Sequence, residues 1–311
     1  MSDTAEYDLA HTALHACGVA DATLVLHPLT GGASRVSFRA VTDAADLVVQ
    51  VARDQSEADM ATEAAVIRSA ESVGVPVPAV VGHHIVDGRH VLISRWVNGE
   101  TVPRRVMRTL TPDGTAELIA DVGRAAARLH TVQEIPAGVE RCDVLTTYTE
   151  RLHESAWSRP VLEAAIRVLE ERRPVSAPST LVHGDLRLGN WIVSDHELRA
   201  VVDWELAHWG DPYADLAWMM ITPWRFGGAL PVAGVATVDM LLEAYAAAGG
   251  VPPALDVLQW HCAVGVFAWS VMCIGQCEAH LSGARRSHEL AVIGRRVTEN
   301  EAELVSWMRG T

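Results

Sequence analysis

The sequence predicts an α+β, bilobal chain: a small antiparallel sheet with one main helix, then a larger and mostly helical part. Three observations predict it. Apolar residues alternate with period two in five short runs before residue 96. From Thr101 onward they recur at helical spacing instead. And 311 residues are many for one core but suit two lobes. The expected division is 1–97 and 98–311.

The elements follow in order. Asp3 to Cys17 has helical spacing, and Gly18 stops it. Val25–Leu29, Val36–Val41 and Leu47–Ala52 read as strands, with Thr30-Gly31-Gly32-Ala33-Ser34 as a turn between the first two. Glu57 to Val73 reads as a helix ended by Val75-Pro76-Val77-Pro78. Val80–Ile85 and His90–Ser94 flank an Asp87-Gly88 turn. Thr111-Pro112 is an N-cap with proline in the first helical turn, and Leu118, Val122, Ala125 and Leu129 form the apolar stripe that follows. Further helices are expected at Val144–Arg173, Val235–Ala248, Leu255–Leu281 and Arg286–Met308.

Composition narrows the function. Apolar content of 49% with 21% charged residues reads as soluble and globular. A net charge of −14 gives no sequence-independent hold on nucleic acid. All 25 basic residues are arginine. Five cysteines lack metal-ligand spacing and suit a reduced, cytoplasmic setting. The N-terminus lacks a signal-peptide pattern, and the apolar run Cys262–Gly275 is too short to span a bilayer, so no membrane partner is expected.

The chemistry concentrates in His183-Gly184-Asp185-Leu186-Arg187-Leu188-Gly189-Asn190, followed thirteen residues after the asparagine by Asp203-Trp204-Glu205. Trp191-Ile192-Val193 and Arg199-Ala200-Val201-Val202 read as a hairpin turning at Ser194–Leu198. A symmetric register, centred between His196 and Glu197, makes Asn190 and Asp203 cross-strand neighbours with Cβ atoms about 5 Å apart. An amide oxygen and a carboxylate at that separation can share a small hard cation. Asp185 can accept a proton from a substrate hydroxyl. Glu205, two residues after Asp203, lies on the same face and can reach a second metal or the substrate.

These residues resemble the aminoglycoside phosphotransferase and choline kinase-like family, which has the protein kinase-like two-lobed fold. The resemblance covers nearly the whole chain. Gly31-Gly32-Ala33-Ser34 is similar to the phosphate loop, Glu63 to the helix glutamate of the small lobe, and Leu92 to Gly99 to the adenine-reading hinge, including Ser94 and Trp96. Asp203-Trp204-Glu205-Leu206 with Gly210-Asp211-Pro212 and Asp215-Leu216-Ala217 is similar to the metal-binding segment and the helix after it. That block most resembles the branch found in bacteria and in the kinase-like portion of certain acyl-CoA dehydrogenase fusions. The resemblance implies Asp185 as base and Asn190 and Asp203 as Mg²⁺ ligands. It makes ATP or GTP the co-substrate, gives Asp215 a supporting role, and leaves His183 architectural. The third-strand Lys or Arg that holds the phosphates falls on Gln50, which is neutral. Arg39 and Arg53 are the candidate substitutes.

The implied function is transfer of the γ-phosphoryl group to a hydroxyl of a small molecule. The acceptor site should lie by the C-terminal helices, where Trp269, His280 and Arg285 are candidates together with Glu205. A basic patch of Arg285, Arg286, Arg295 and Arg296 favours an anionic acceptor such as a hydroxyacyl-CoA. The alternatives are an aminoglycoside-type acceptor or a nucleotide-binding pseudokinase, the latter because of Gln50. A homodimer is compatible with the sequence.

Overall fold

The computed structural model describes residues 3–19, 23–29, 35–43, 45–53, 60–175 and 177–310. α1 (Asp3–Ala16) leads into five antiparallel strands. These are β1 (Val25–Leu29), β2 (Arg35–Val41), β3 (Asp46–Ala52), β4 (Val80–Val86) and β5 (Arg89–Arg95), ordered β1-β2-β3-β5-β4, with α2 (Met60–Ser72) between β3 and β4 in sequence. Alternation along the strands separates two faces. Phe38, Ala40, Val49, Val51, Val91 and Ile93 pack with Leu9, Ala10, Ala13 and Leu14 of α1. The other face carries Arg35, Ser37, Gln50 and Ala52, because β2 and β3 pair Arg35 with Ala52 and Ser37 with Gln50. On that side Ala52 and Leu92 join Met60, Ala64 and Ile67 of α2 in a separate cluster.

Past an extended link the helices begin with α3 (Pro103–Thr109), which the sequence pattern did not show, and α4 (Pro112–Leu129). Thr111 caps α4 as expected, its hydroxyl accepting from the Gly114 N–H at 3.0 Å. Leu118, Val122, Ala125 and Leu129 are all buried. Each of the larger three contributes about 1.5–3 kcal/mol by leaving water.

The expected helix over Val144–Arg173 is two helices, α5 (Val144–Glu154) and α6 (Pro160–Glu171). Pro160 explains the break. Inside a helix it would remove a donor and clash with the preceding turn, at about 3 kcal/mol, whereas at the start of α6 it costs nothing.

Two short ladders frame the motif region. β6 (Thr180–Val182) pairs with β9 (His208–Gly210), and β7 (Trp191–Ser194) pairs with β8 (Glu197–Val201). α7 (Tyr213–Trp218) and α8 (Val238–Ala247) follow, then α9 (Leu255–Leu281). The 27-residue α9 is long and apolar enough to cross a membrane by length and composition, beyond what its uninterrupted apolar run suggested. Here 78% of its most apolar window is buried inside the protein, with α5, α7, α10 (His288–Ile293) and α11 (Arg296–Arg309) packed around it. The last two replace a single expected helix. The break falls at Gly294, where a Cβ would lie 2.8 Å from the Cys277 sulfur of α9.

Candidate active site

The β7–β8 hairpin sets the first two groups. Its turn residues Asp195 and His196 both have positive φ (53° and 67°), the twist that suits a two-residue hairpin. Ser194 therefore pairs with Glu197, so the turn is centred one residue earlier than the sequence register supposed. A bulge between Ile192 and Val193 then shifts the pairing, so Trp191 faces Val201 and the Val202 N–H reaches the Asn190 carbonyl at 2.9 Å. The expected direct pairing of Asn190 with Asp203 is thus corrected: Asn190 lies opposite Val202, and Asp203 is one residue beyond. Asp203 is exposed and takes a left-handed φ of 70° as the chain leaves the strand.

Asp185 is held by four contacts from three side chains. Arg187 Nε donates to both carboxylate oxygens at 2.9 and 3.0 Å, Trp218 Nε1 to Oδ1 at 2.6 Å, and Asn190 Nδ2 to Oδ2 at 2.7 Å. The guanidinium of Arg187 also lies 4.5 Å over the Trp224 ring. A carboxylate so fixed has one orientation to offer a reacting group. Asn190 Nδ2 spends its other hydrogen on the Asp185 carbonyl at 2.9 Å, which leaves its Oδ1 as the acceptor.

His183 is fully buried and is a scaffold residue. Its Nδ1 accepts from the Asp185 N–H at 3.1 Å and its Nε2–H donates to the Val202 carbonyl at 3.1 Å. Both ring nitrogens are used, so the histidine ties the loop to the hairpin. Asp215 sits beneath it with no exposure. It accepts from the His183 N–H (2.9 Å), the Gly184 N–H (3.0 Å) and His130 Nε2 (3.2 Å). Burial pushes this carboxyl up, but the His130 hydrogen bond and charge, with the backbone donors, outweigh it and hold the group below the usual range. Gly184 has φ 81°, and a Cβ there would lie 2.3 Å from the Leu206 carbonyl oxygen. The loop therefore touches the 203–206 segment backbone to backbone.

Above this floor Glu63 of α2 is buried and paired with Arg35 Nη1 at 2.6 Å. Burial lifts the Glu63 carboxyl above its ordinary range; Arg35 opposes this, while Asp203 and Glu205 add to it. Arg35 Nη2 also reaches Glu205 at 3.3 Å. The two candidate replacements for the third-strand cation are elsewhere. Arg39 pairs with Asp46 and stacks 4.4 Å over Trp96, and Arg53 is exposed. Gln50 faces the same side of the sheet as Arg35 and makes no ion pair with Glu63. Ser94 is buried in β5 opposite Val48, and Trp96 donates from Nε1 to Asn98 Oδ1 at 2.8 Å. Gly31, Gly32 and Ser34 lie outside the described residues.

A cleft of about 600 Å³ opens over Asp185, Asp203 and Glu205. Trp218 and Trp224 line it beside Asp185 and Arg187, and Trp269, Met272 and Gln276 of α9 continue the lining. Trp269, a sequence candidate, thus lines this cleft. His280 and Arg285 do not line the cleft. His280 Nδ1 instead accepts from the Ser287 N–H at 3.1 Å and shapes the turn into α10. Of the four arginines expected as a basic patch only Arg296 lines it. Six carboxylates face this space against three guanidinium groups. The expectation of a basic pocket is corrected, because those arginines sit past the end of α9 or on its outer neighbours.

Asn190 Oδ1 and the Asp203 carboxylate are hard oxygen donors. They fit Mg²⁺, which takes one or two protein oxygens and completes its shell with phosphate and water. Among the described residues no three His, Cys, Asp or Glu side chains form a closed cage.

A profile described as "Phosphotransferase enzyme family" matches residues 25–261 of the chain. The chain belongs to this family. Curated relatives include acyl-CoA dehydrogenase family member 10 of Mus musculus, 25% identical over 265 residues, covering 77% of this chain and 24% of that protein. Family member 11 of Homo sapiens is 25% identical over 245 residues, covering 70% and 31%. The chain spans about a quarter to a third of the length of the curated relatives it matches. Among solved structures, a Ralstonia eutropha protein assigned provisionally to the aminoglycoside phosphotransferases superposes with TM-score 0.78 at 19% identity, covering 98% of each chain. A choline/ethanolamine kinase family protein of Mesorhizobium loti gives 0.70 at 20%, covering 97% and 94%. At these identities the structures establish the kinase-like fold.

For this phosphotransferase-family chain, three groups at the site were not found from sequence. Arg187 and Trp218 clamp Asp185, and Arg35 partners Glu63. Arg187 carried a weak signal, since it lies two residues from the carboxylate. Arg35 carried a stronger one: it shares strand parity with Arg39, four residues on.

Proposed function

We propose that the protein is a small-molecule O-phosphotransferase that moves the γ-phosphoryl group of ATP or GTP to an alcohol. The observation that carries this is the Asp185 carboxylate, fixed by Arg187, Asn190 and Trp218 at the floor of an open cleft, beside the oxygen donors Asn190 and Asp203. Phosphoryl transfer needs little covalent work from the protein; positioning and charge stabilisation dominate. Asp185 orients the acceptor hydroxyl and takes its proton. Asn190 Oδ1 and Asp203 would hold Mg²⁺, which when bound neutralises charge on the nucleotide phosphates. Glu205 lines the same cleft as Asp203.

The acceptor we favour is the hydroxyl of a neutral metabolite moiety, such as the acyl part of a hydroxyacyl-CoA. Support comes from the tryptophan wall and from relatives named for acyl-CoA dehydrogenases. The six carboxylates favour a second reading, a polycationic aminoglycoside-type acceptor. The pseudokinase reading rests on the neutral Gln50; against it stands Arg35, a cation paired with Glu63 on the same face of the sheet. A reduced cytoplasmic setting is proposed from the five free cysteines.

The test is nucleotide turnover with a panel of hydroxyl acceptors that includes hydroxyacyl thioesters and aminoglycosides. Asp185→Ala should lower turnover by about 10²–10⁴-fold, with Mg-nucleotide affinity kept within a few-fold. Near-normal turnover in that variant would overturn the base assignment. Nucleotide binding with no turnover on any acceptor would favour the pseudokinase.

A further inference from the structure

The site lacks a cation where its family resemblance calls for one, on β3, and holds a cation with no assigned task on β2. Three observations connect them. First, Arg35 and Gln50 share a face of the sheet. Arg35 stands directly opposite Ala52, and Gln50 opposite Ser37, so Arg35 and Gln50 are diagonal neighbours. Diagonal Cα atoms in such a ladder are about 7–8 Å apart, within the reach of an arginine. Ala52, buried and without a side chain past Cβ, leaves the space over the ladder to the guanidinium.

Second, the two ion pairs of Arg35 are unequal. The contact to Glu63 is 2.6 Å, with both side chains at most 6% exposed. The contact to Glu205 is 3.3 Å, to a side chain that is 39% exposed. A short buried pair is costly to break, whereas a long one at a wet edge exchanges with little loss. Third, Arg35 Nε is buried without a hydrogen-bond partner among the described residues. Its guanidinium thus has unspent donor capacity, at 5% exposure of the side chain.

We propose that Arg35 is the phosphate-binding cation of this chain, moved from β3 to the diagonal position on the neighbouring strand β2. Glu63 holds one edge of the guanidinium. The edge now on Glu205 turns to the phosphate oxygens when the nucleotide enters, and Glu205 is released to the cleft. Arginine suits this exchange, because its planar fork binds carboxylate and phosphate with the same geometry. The proposal rests on the phosphotransferase reading, and it accounts for a neutral Gln50 at a position where charge was expected.

Calorimetric titration with Mg-ADP and Mg-GDP tests it, with adenosine and guanosine as ligands that lack phosphate. Arg35→Gln should weaken the Mg-nucleotide by on the order of ten- to a hundred-fold and leave the nucleoside within two-fold. Combining Arg35→Gln with Gln50→Arg should recover most of the loss, while Arg124→Gln, at an exposed position of α4 paired with Asp121, should change neither ligand. If Arg35→Gln does not fold, Arg35→Gln with Glu63→Gln removes both charges of the buried pair and should show the same selective loss. Equal weakening of nucleotide and nucleoside, or unchanged Mg-nucleotide affinity, would overturn the proposal and leave the proposed function standing. A wild-type protein that binds neither Mg-nucleotide overturns both.

Discussion

Replacing Asp215 by asparagine isolates what the buried carboxylate does for the loop above it. Three donors converge on it, the backbone N–H groups of His183 and Gly184 and the Nε2–H of His130, at 2.9, 3.0 and 3.2 Å. The carboxylate can accept all three. An asparagine has one acceptor oxygen, so its amide NH₂ must face at least one of these donors. Weakening bonds to a charged group costs about 1.5–3 kcal/mol, and stranding a buried donor about 1–3 kcal/mol. The expected destabilisation of Asp215→Asn is about 3–5 kcal/mol, or a fall in Tm on the order of 10 °C. Urea unfolding followed by tryptophan fluorescence measures it directly. A loss below about 1 kcal/mol with an unchanged m-value would show that the convergence is geometric and not energetic. The pH dependence gives a second check. The folded-state pKa of Asp215 is depressed, so its contribution is fully present above the ordinary aspartate value of about 3.9. It is lost as pH falls through the lower folded value. Through the Asp215 carboxyl, the gap between wild type and Asp215→Asn should therefore narrow as pH falls below about 4.

Other perturbations separate the roles of neighbouring groups. Gly184→Ala puts a Cβ 2.3 Å from the Leu206 carbonyl oxygen on a residue with positive φ. We expect about 2–4 kcal/mol of destabilisation in chemical denaturation, since strain and overlap add. Trp218→Phe keeps the ring beside Trp224 but deletes the donor 2.6 Å from Asp185. Turnover should fall about ten-fold, equivalent to about 1.4 kcal/mol of transition-state stabilisation, and an unchanged kcat would mean that Arg187 and Asn190 suffice to orient the carboxylate. Arg187→Lys cannot reproduce the single planar Nε contact to both Asp185 oxygens. It should lower kcat more than nucleotide affinity; the reverse split would place Arg187 in nucleotide binding.

Strong periodicity was legible. The five strands and the stripe of α4 stand within a residue or two of where alternation and capping put them. What stayed hidden depended on contacts between distant segments. The break at Pro160 is the exception, a local signal at which proline begins α6. The last helix divides at Gly294, a position kept free of a side chain by Cys277 of α9, a contact no local pattern reveals. At the site, the motif carboxylates and Asn190 were plain from type and spacing. The register between them was not, because a symmetric hairpin and one with a bulge differ by a residue that only backbone geometry decides. Arg35 was missed for a narrower reason. Arg39 was named as a candidate from its strand, and the parity of that strand carried back four residues reaches Arg35, the arginine that meets Glu63.

The course of α9 divides the labour of the cleft. Trp269, Met272 and Gln276 recur three and four residues apart, so one stripe of one helix furnishes part of the cleft's lining. The loop and hairpin that carry Asp185, Asn190 and Asp203 belong to a different stretch of chain, anchored through His183 and Asp215. Drift along that stripe can therefore reshape what enters the cleft while the reacting groups keep their places. An ancestor with this arrangement could change diets by altering a few side chains, with its chemistry inherited intact.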